Sequence, residues 1–79
     1  MTIGICLIGA GRIGAIHAAN IAAAADAQLL YVTDAHQPAA DTLAAQYGAT
    51  ATELSRALAD SAVQAVLIAS STDTHVELM

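Results

Sequence analysis

The apolar positions of the chain fall into short unbroken runs separated by stretches of helical periodicity. Ile3–Ile8 (Ile-Gly-Ile-Cys-Leu-Ile), Gln28–Thr33 (Gln-Leu-Leu-Tyr-Val-Thr) and Gln64–Ala69 (Gln-Ala-Val-Leu-Ile-Ala) are runs of strand length. Continuous runs of this kind predict strands covered on both faces, as in a parallel sheet. From Arg12 to about Ala25 the chain is rich in alanine. Ile13, His17 and Ile21 recur at every fourth residue there, and Ile16 joins that face. This spacing predicts a helix that stops at the turn beginning with Asp26. Pro38 suits the first turn of a second helix, where a missing N–H costs nothing. Ala40, Leu43, Ala44 and Tyr47 form its apolar stripe, and Gly48 supplies a left-handed stop. Ala49–Ala51 is at most a very short third strand. Thr52 is suited to cap a third helix, with Leu54, Ala57 and Leu58 on one face and Asp60-Ser61 closing it. Ser70-Ser71-Thr72-Asp73 is a polar loop after the fourth strand. Thr74-His75-Val76-Glu77 has the form of a capping box and predicts the start of a fourth helix. Strict strand–helix alternation with short links implies crossover connections and an α/β parallel sheet with flanking helices.

Composition narrows the class. Seventy-nine residues make at most one small domain, of a size that buries only roughly 60% of its unfolded surface. A hydrophobic fraction of 57% and a charged fraction of 11% exclude a disordered tail. There is no Phe and no Trp, so the core must be built from Ala, Ile, Leu and Val. The net charge is −5, the two cations are Arg12 and Arg56, and lysine is absent. No basic patch is available to displace counterions from nucleic acid or to hold an anionic membrane. Cys6, the sole cysteine, lies in an apolar run and is expected to be a buried, reduced thiol of a cytoplasmic protein. Met1-Thr2 brings no charge, and the run Ile3–Ala10 is too short for a signal peptide or a membrane span.

Gly9-Ala10-Gly11-Arg12-Ile13-Gly14 carries the candidate chemistry. The pattern G-x-G-x-x-G is weak alone. Here it follows a strand, opens a helix, and has an acid, Asp34, about 20 residues beyond Gly14. In the Rossmann dinucleotide fold the first glycine allows the tight turn, the second lets backbone approach a pyrophosphate, and the third lets helix pack on strand. Free amides at the helix start, with the positive end of its dipole, hold phosphate charge. Asp34, at the end of the second strand, is placed to accept hydrogen bonds from both adenosine ribose hydroxyls and to repel a 2′-phosphate. Ala35, His36 and Gln37 bring no fixed cation, which favours NAD(H) over NADP(H). The bland alternatives are a structural glycine turn and a turn or capping aspartate. S-adenosylmethionine also suits such an acid, but Leu7-Ile8 occupy the place where methyltransferases usually carry another acid.

Ser71 and Thr72 sit at the carboxyl edge of the fourth strand, where open α/β sheets bind ligands. Asp73 and Thr74 are read as a solvated cap. His17 is expected at a packing face, His36 in an exposed turn near the adenine, and His75 in the first turn of the last helix. No set of residues has metal-ligand spacing. Ser70, Asp73 and His75 are too close together in sequence for a hydrolytic triad.

Ile8–Gly14 with Ile16-His17, Asp34, the Ala-Ala-Gln-Tyr-Gly stretch ending at Gly48, Ala65–Ala69 and Ser71–His75 together resemble the Gfo/Idh/MocA oxidoreductases. Gly11–Gly14 and Ser71–His75 are similar to the inositol 2-dehydrogenase branch in particular. The resemblance implies hydride transfer between NAD and a hydroxyl-bearing carbon of a cyclitol or sugar, in a homo-oligomeric parent protein. It implies cofactor contacts from Gly9, Gly11, Arg12, Ile13, Gly14, Asp34, Ser71, Thr72 and His75. The family's catalytic lysine lies in a Glu-Lys-Pro motif on the next strand, and further groups lie in a second domain. On this reading residues 1–79 are a truncated NAD(P)-binding Rossmann domain without a catalytic residue of its own. The fourth strand is then expected to keep an unpaired edge, a site of marginal stability or association. A non-catalytic NAD-binding sensor or structural module is the alternative.

Overall fold

The computed structural model describes residues 2–69 and the backbone of residues 74–78. The elements are β1 (Ile3–Ile8), α1 (Arg12–Ala23), β2 (Ala27–Thr33), α2 (Gln37–Tyr47), β3 (Thr50–Ala51), α3 (Leu54–Ala59), β4 (Val63–Ala69) and β5 (Thr74–Leu78). They form one sheet in the order β3-β2-β1-β4-β5. β1 lies at its centre, parallel to β2 and β4, and β3 adds in parallel to β2. The three expected apolar runs are thus strands, and the order is that of a mononucleotide-binding half of the Rossmann fold.

Alternation along β1 sends its side chains to two separate cores. Leu7 packs with Ala18 and Ile21 of α1, Val32 of β2, and Leu43 and Ala44 of α2. Cys6 faces the other way, against Ala57 of α3 and Val63 and Val66 of β4. Leu7, Cys6 and Val32 are fully enclosed, the two aliphatic side chains, Leu7 and Val32, each being worth about 1.5–3 kcal/mol of transfer free energy. The buried helix residues are mostly alanine and glycine (Gly14, Ala18, Ala40, Ala44, Ala57), joined by Ile21 and Leu43, which lets backbones approach closely.

A bulge in β2 sets the aim of its carboxyl end. Ile5 pairs with Leu29 but Cys6 pairs with Tyr31, so Leu30 is an extra residue. Leu30 and Tyr31 consequently both pack on the Cys6 side, while Leu29 and Val32 share the Leu7 side. A one-residue shift exchanges the two faces of a strand. The bulge therefore fixes which face Val32 takes. A second shift, at Gln64 on β4, is patched by its own side chain: the Gly4 amide donates to Gln64 Oε1 at 3.3 Å.

Several local expectations are corrected. α1 buries Gly14, Ala18 and Ile21; Ile16 is 56% exposed. Ile16 lies on the opposite side of the helix from Gly14, Ala18 and Ile21, so the buried face is turned away from it. Thr52 does not cap α3. Glu53 holds that position without a side-chain bond, and of the expected face only Ala57 is buried, with Leu54 and Leu58 exposed. The fourth helix is replaced by β5, antiparallel to β4 with Ile68 opposite His75 and Leu67 opposite Val76. The alternating Thr, Val and Leu of β5 find ladder partners along β4. The β4 edge is therefore paired, contrary to the expectation of an open one. No helix among the described residues is long and apolar enough to cross a membrane.

Candidate functional site

The turn between β1 and α1 lies at the carboxyl edge of the parallel strands, and its sequence dictates its shape. Gly9 has φ 105°, a conformation side chains rarely tolerate, and a Cβ there would strike the Ala69 carbonyl oxygen at the end of β4. The Gly9 amide donates to the Thr33 carbonyl at 2.8 Å, tying the turn to the end of β2. At Gly14, one turn into α1, a Cβ would collide with the Gly9 carbonyl oxygen and lie 2.8 Å from the Gly9 carbon. Gly11 is the opposite case: a Cβ there meets nothing within 4 Å. Two of the three motif glycines are thus demanded by the protein's own packing, while Gly11 borders open space.

Gly11 is also the N-cap of α1 and offers no side-chain cap; no acid stands in the first turn. The first intrahelical bond runs from the Ala15 amide to the Gly11 carbonyl at 2.9 Å. The amides of Arg12, Ile13 and Gly14 are the helix's orphan donors. They lie at the positive end of a 12-residue helix, with the exposed Arg12 beside them. The arrangement suits a diphosphate.

Asp34 immediately follows β2 and reaches back across the crossover. Its Oδ2 accepts a hydrogen bond from the Ala10 amide at 2.7 Å, and its Oδ1 accepts one from the His36 amide at 2.7 Å. The second contact is an Asx turn, so the turn role and the site role coexist. The Ala10 donor foremost, then the His36 amide, holds the Asp34 carboxyl below the ordinary carboxylate range. The two bonds use two of about four acceptor positions on a carboxylate, leaving one on each oxygen. That pair matches a vicinal diol.

Gly9, Gly11, Arg12, Ile13, Gly14 and Asp34 are therefore brought to one edge of the sheet. Ser71 and Thr72, with Ser70 and Asp73, lie outside the described residues. His75 is in β5 rather than at a helix start. His17 is half-buried on α1, and His36 is the exposed N-cap of α2. Sequence reasoning missed Ala10, whose contribution is a backbone amide; an alanine in a glycine turn carries no signal for it. Two groups lie away from the edge. The Tyr31 hydroxyl donates to Asp60 Oδ2 at 2.6 Å, which raises the tyrosine pKa and lowers that of the aspartate. Burial pushes the Cys6 thiol up to about 11, where it is inert at neutral pH.

Comparison with known proteins agrees with this geometry. Residues 3–79 match the profile of the Gfo/Idh/MocA oxidoreductase family, NAD-binding Rossmann fold. The chain is 40% identical over all its 79 residues to an inositol 2-dehydrogenase of Rhizobium meliloti, and it spans 24% of that protein's length. Among solved structures, a myo-inositol dehydrogenase from Corynebacterium glutamicum superposes with a TM-score of 0.82 at 40% identity, over 91% of this chain and 22% of that one. A scyllo-inositol dehydrogenase from Lactobacillus casei, solved with NAD(H) and scyllo-inositol, superposes with a TM-score of 0.76 at 30% identity, over 89% of this chain and 22% of that one.

Proposed function

The chain belongs to the Gfo/Idh/MocA oxidoreductase family, and from that premise we propose that its glycine turn and Asp34 hold NAD(H) for an inositol 2-dehydrogenase-like oxidoreductase acting on a cyclitol or sugar CH–OH group. The observation that carries the reading is the Ala10–Asp34 bond of 2.7 Å. It joins the diphosphate-binding turn and the diol-binding acid into one surface. The residues fit the cofactor: Gly11 leaves room for close approach, the first-turn amides of α1 face a diphosphate, and Asp34 keeps two free acceptor positions.

Each group has a defined task. The amides of Arg12, Ile13 and Gly14 bind and orient the diphosphate. Asp34 receives the two ribose hydroxyl protons in hydrogen bonds. Its negative charge disfavours a 2′-phosphate. Ser71, Thr72 and His75 are proposed to complete the nicotinamide side, as the family resemblance implies. When bound, NAD supplies a hydride acceptor at its nicotinamide ring. The lone, buried, unreactive Cys6 suits a reducing cytoplasm.

Fluorescence titration of the chain with NADH and NADPH tests the reading. Saturable NADH binding, with NADPH at least about tenfold weaker, is the expected result, one unfavourable charged contact being worth that much. Absence of NADH binding, or equal affinity for both, would refute it.

A further inference from the structure

Among the described residues, the glycine turn has few means of ordering itself. Gly9 and Gly11 carry no side chain, α1 has no side-chain cap, and glycine loses more conformational freedom on ordering than any other residue. Its hydrogen-bonded tethers are borrowed from the end of β2: Gly9 N to the Thr33 carbonyl at 2.8 Å and Ala10 N to Asp34 Oδ2 at 2.7 Å. The second is charge-assisted, a class roughly twice as strong as neutral bonds. The carboxylate that makes it is itself fixed, because its other oxygen accepts the His36 amide at 2.7 Å.

We propose that Asp34 is a positioning residue for the glycine turn as well as a ribose ligand: through the Ala10 amide it holds Gly9–Gly11 in the shape that receives a diphosphate. The inference rests on the NAD(H) assignment above and deepens it. Its consequence separates it from a simple ribose contact or a charge filter. Removing Asp34 takes a negative charge away from the neighbourhood of a diphosphate. On charge alone, a ligand without the ribose diol would then bind equally well or more tightly. A turn released from its clamp would bind that ligand more weakly.

The probe is an NADH analogue built on 2′,3′-dideoxyadenosine, titrated by nicotinamide fluorescence into the chain and into Asp34→Ala. The clamp predicts about tenfold or greater weakening of the analogue in Asp34→Ala, the scale of one lost hydrogen bond to a charged group. Undiminished analogue affinity in Asp34→Ala, with NADH affinity reduced, overturns the clamp and leaves the ribose assignment standing. Failure of the unaltered chain to bind NADH removes the functional reading, and the clamp with it. A second measurement needs no variant. The Ala10 amide proton should resonate downfield and shift as Asp34 is protonated in acid. An Ala10 resonance indifferent to that titration overturns the proposal even where Asp34→Ala does not fold.

Discussion

Gly14 and Gly11 sit three residues apart in one motif, yet the structure assigns them different tasks, and alanine at each should separate folding from binding. At Gly14 the new Cβ collides with the Gly9 carbonyl oxygen and lies 2.8 Å from its carbon. Both obstacles are backbone, so relief requires α1 or the turn to move. Overpacking of this kind costs about 1–3 kcal/mol. Replacing a helical glycine returns at most roughly 0.5–1 kcal/mol of propensity, the value for a helix interior. At mid-range the net loss is about 1 kcal/mol, or a Tm lower by about 4–8 °C for a domain of this size. At Gly11 a Cβ meets nothing within 4 Å and φ is −77°, so stability should change by less than about 0.5 kcal/mol. That Cβ would instead stand where a diphosphate approaches the amides, and NADH affinity should fall about 10- to 100-fold, the value of a charged hydrogen bond. Thermal unfolding by circular dichroism and NADH titration of both variants provide the readings. A Gly11→Ala chain that melts like Gly14→Ala, or that binds NADH unimpaired, would refute the division of labour.

Further outcomes follow from the same contacts. Asp34→Ala should lower NADH affinity by about tenfold or more and bring NADH and NADPH closer to parity, measured by paired titrations. The Asp34 carboxyl is held below its ordinary value by the Ala10 and His36 amides. Its stabilisation is therefore complete above about pH 3.9 and lost as the pH falls through the folded-state value; acid unfolding of Asp34→Asn should lack that component. The Tyr31–Asp60 bond raises the tyrosine pKa and lowers that of the aspartate. It should stabilise the chain between about pH 4 and pH 10 and weaken beyond either limit, so the stability difference between the native chain and Tyr31→Phe should shrink at both extremes. Cys6 is fully buried with its thiol at about 11. A disulfide reagent should modify it only as fast as the chain opens.

The parallel strands and the glycine turn are legible in the sequence because each is a local pattern: unbroken Ile, Leu and Val runs, glycines at fixed offsets, and Gly48 stopping α2 at φ 70°. Features decided by tertiary fit are not. Ile16 reads as apolar stripe, yet α1 turns the face of Gly14, Ala18 and Ile21 to the sheet and leaves Ile16 on the opposite side. Thr74–Glu77 satisfies a helix-start pattern, yet the same residues pair along β4 as part of β5. The extra residue at Leu30 leaves no mark in composition, although it decides which face Val32 takes. At the site, Gly9, Gly11, Gly14 and Asp34 could be named from spacing. The Ala10 amide that joins them could not, since every residue except proline carries the same donor.

The most direct measurement is the amide spectrum of the isotopically labelled chain as NADH is added. The account predicts that the largest shifts fall on Gly9–Gly14 and on Asp34–His36, with the Arg56–Ala59 stretch of α3 unmoved. Shifts centred on α3, or none at the glycine turn under saturating NADH, would contradict it.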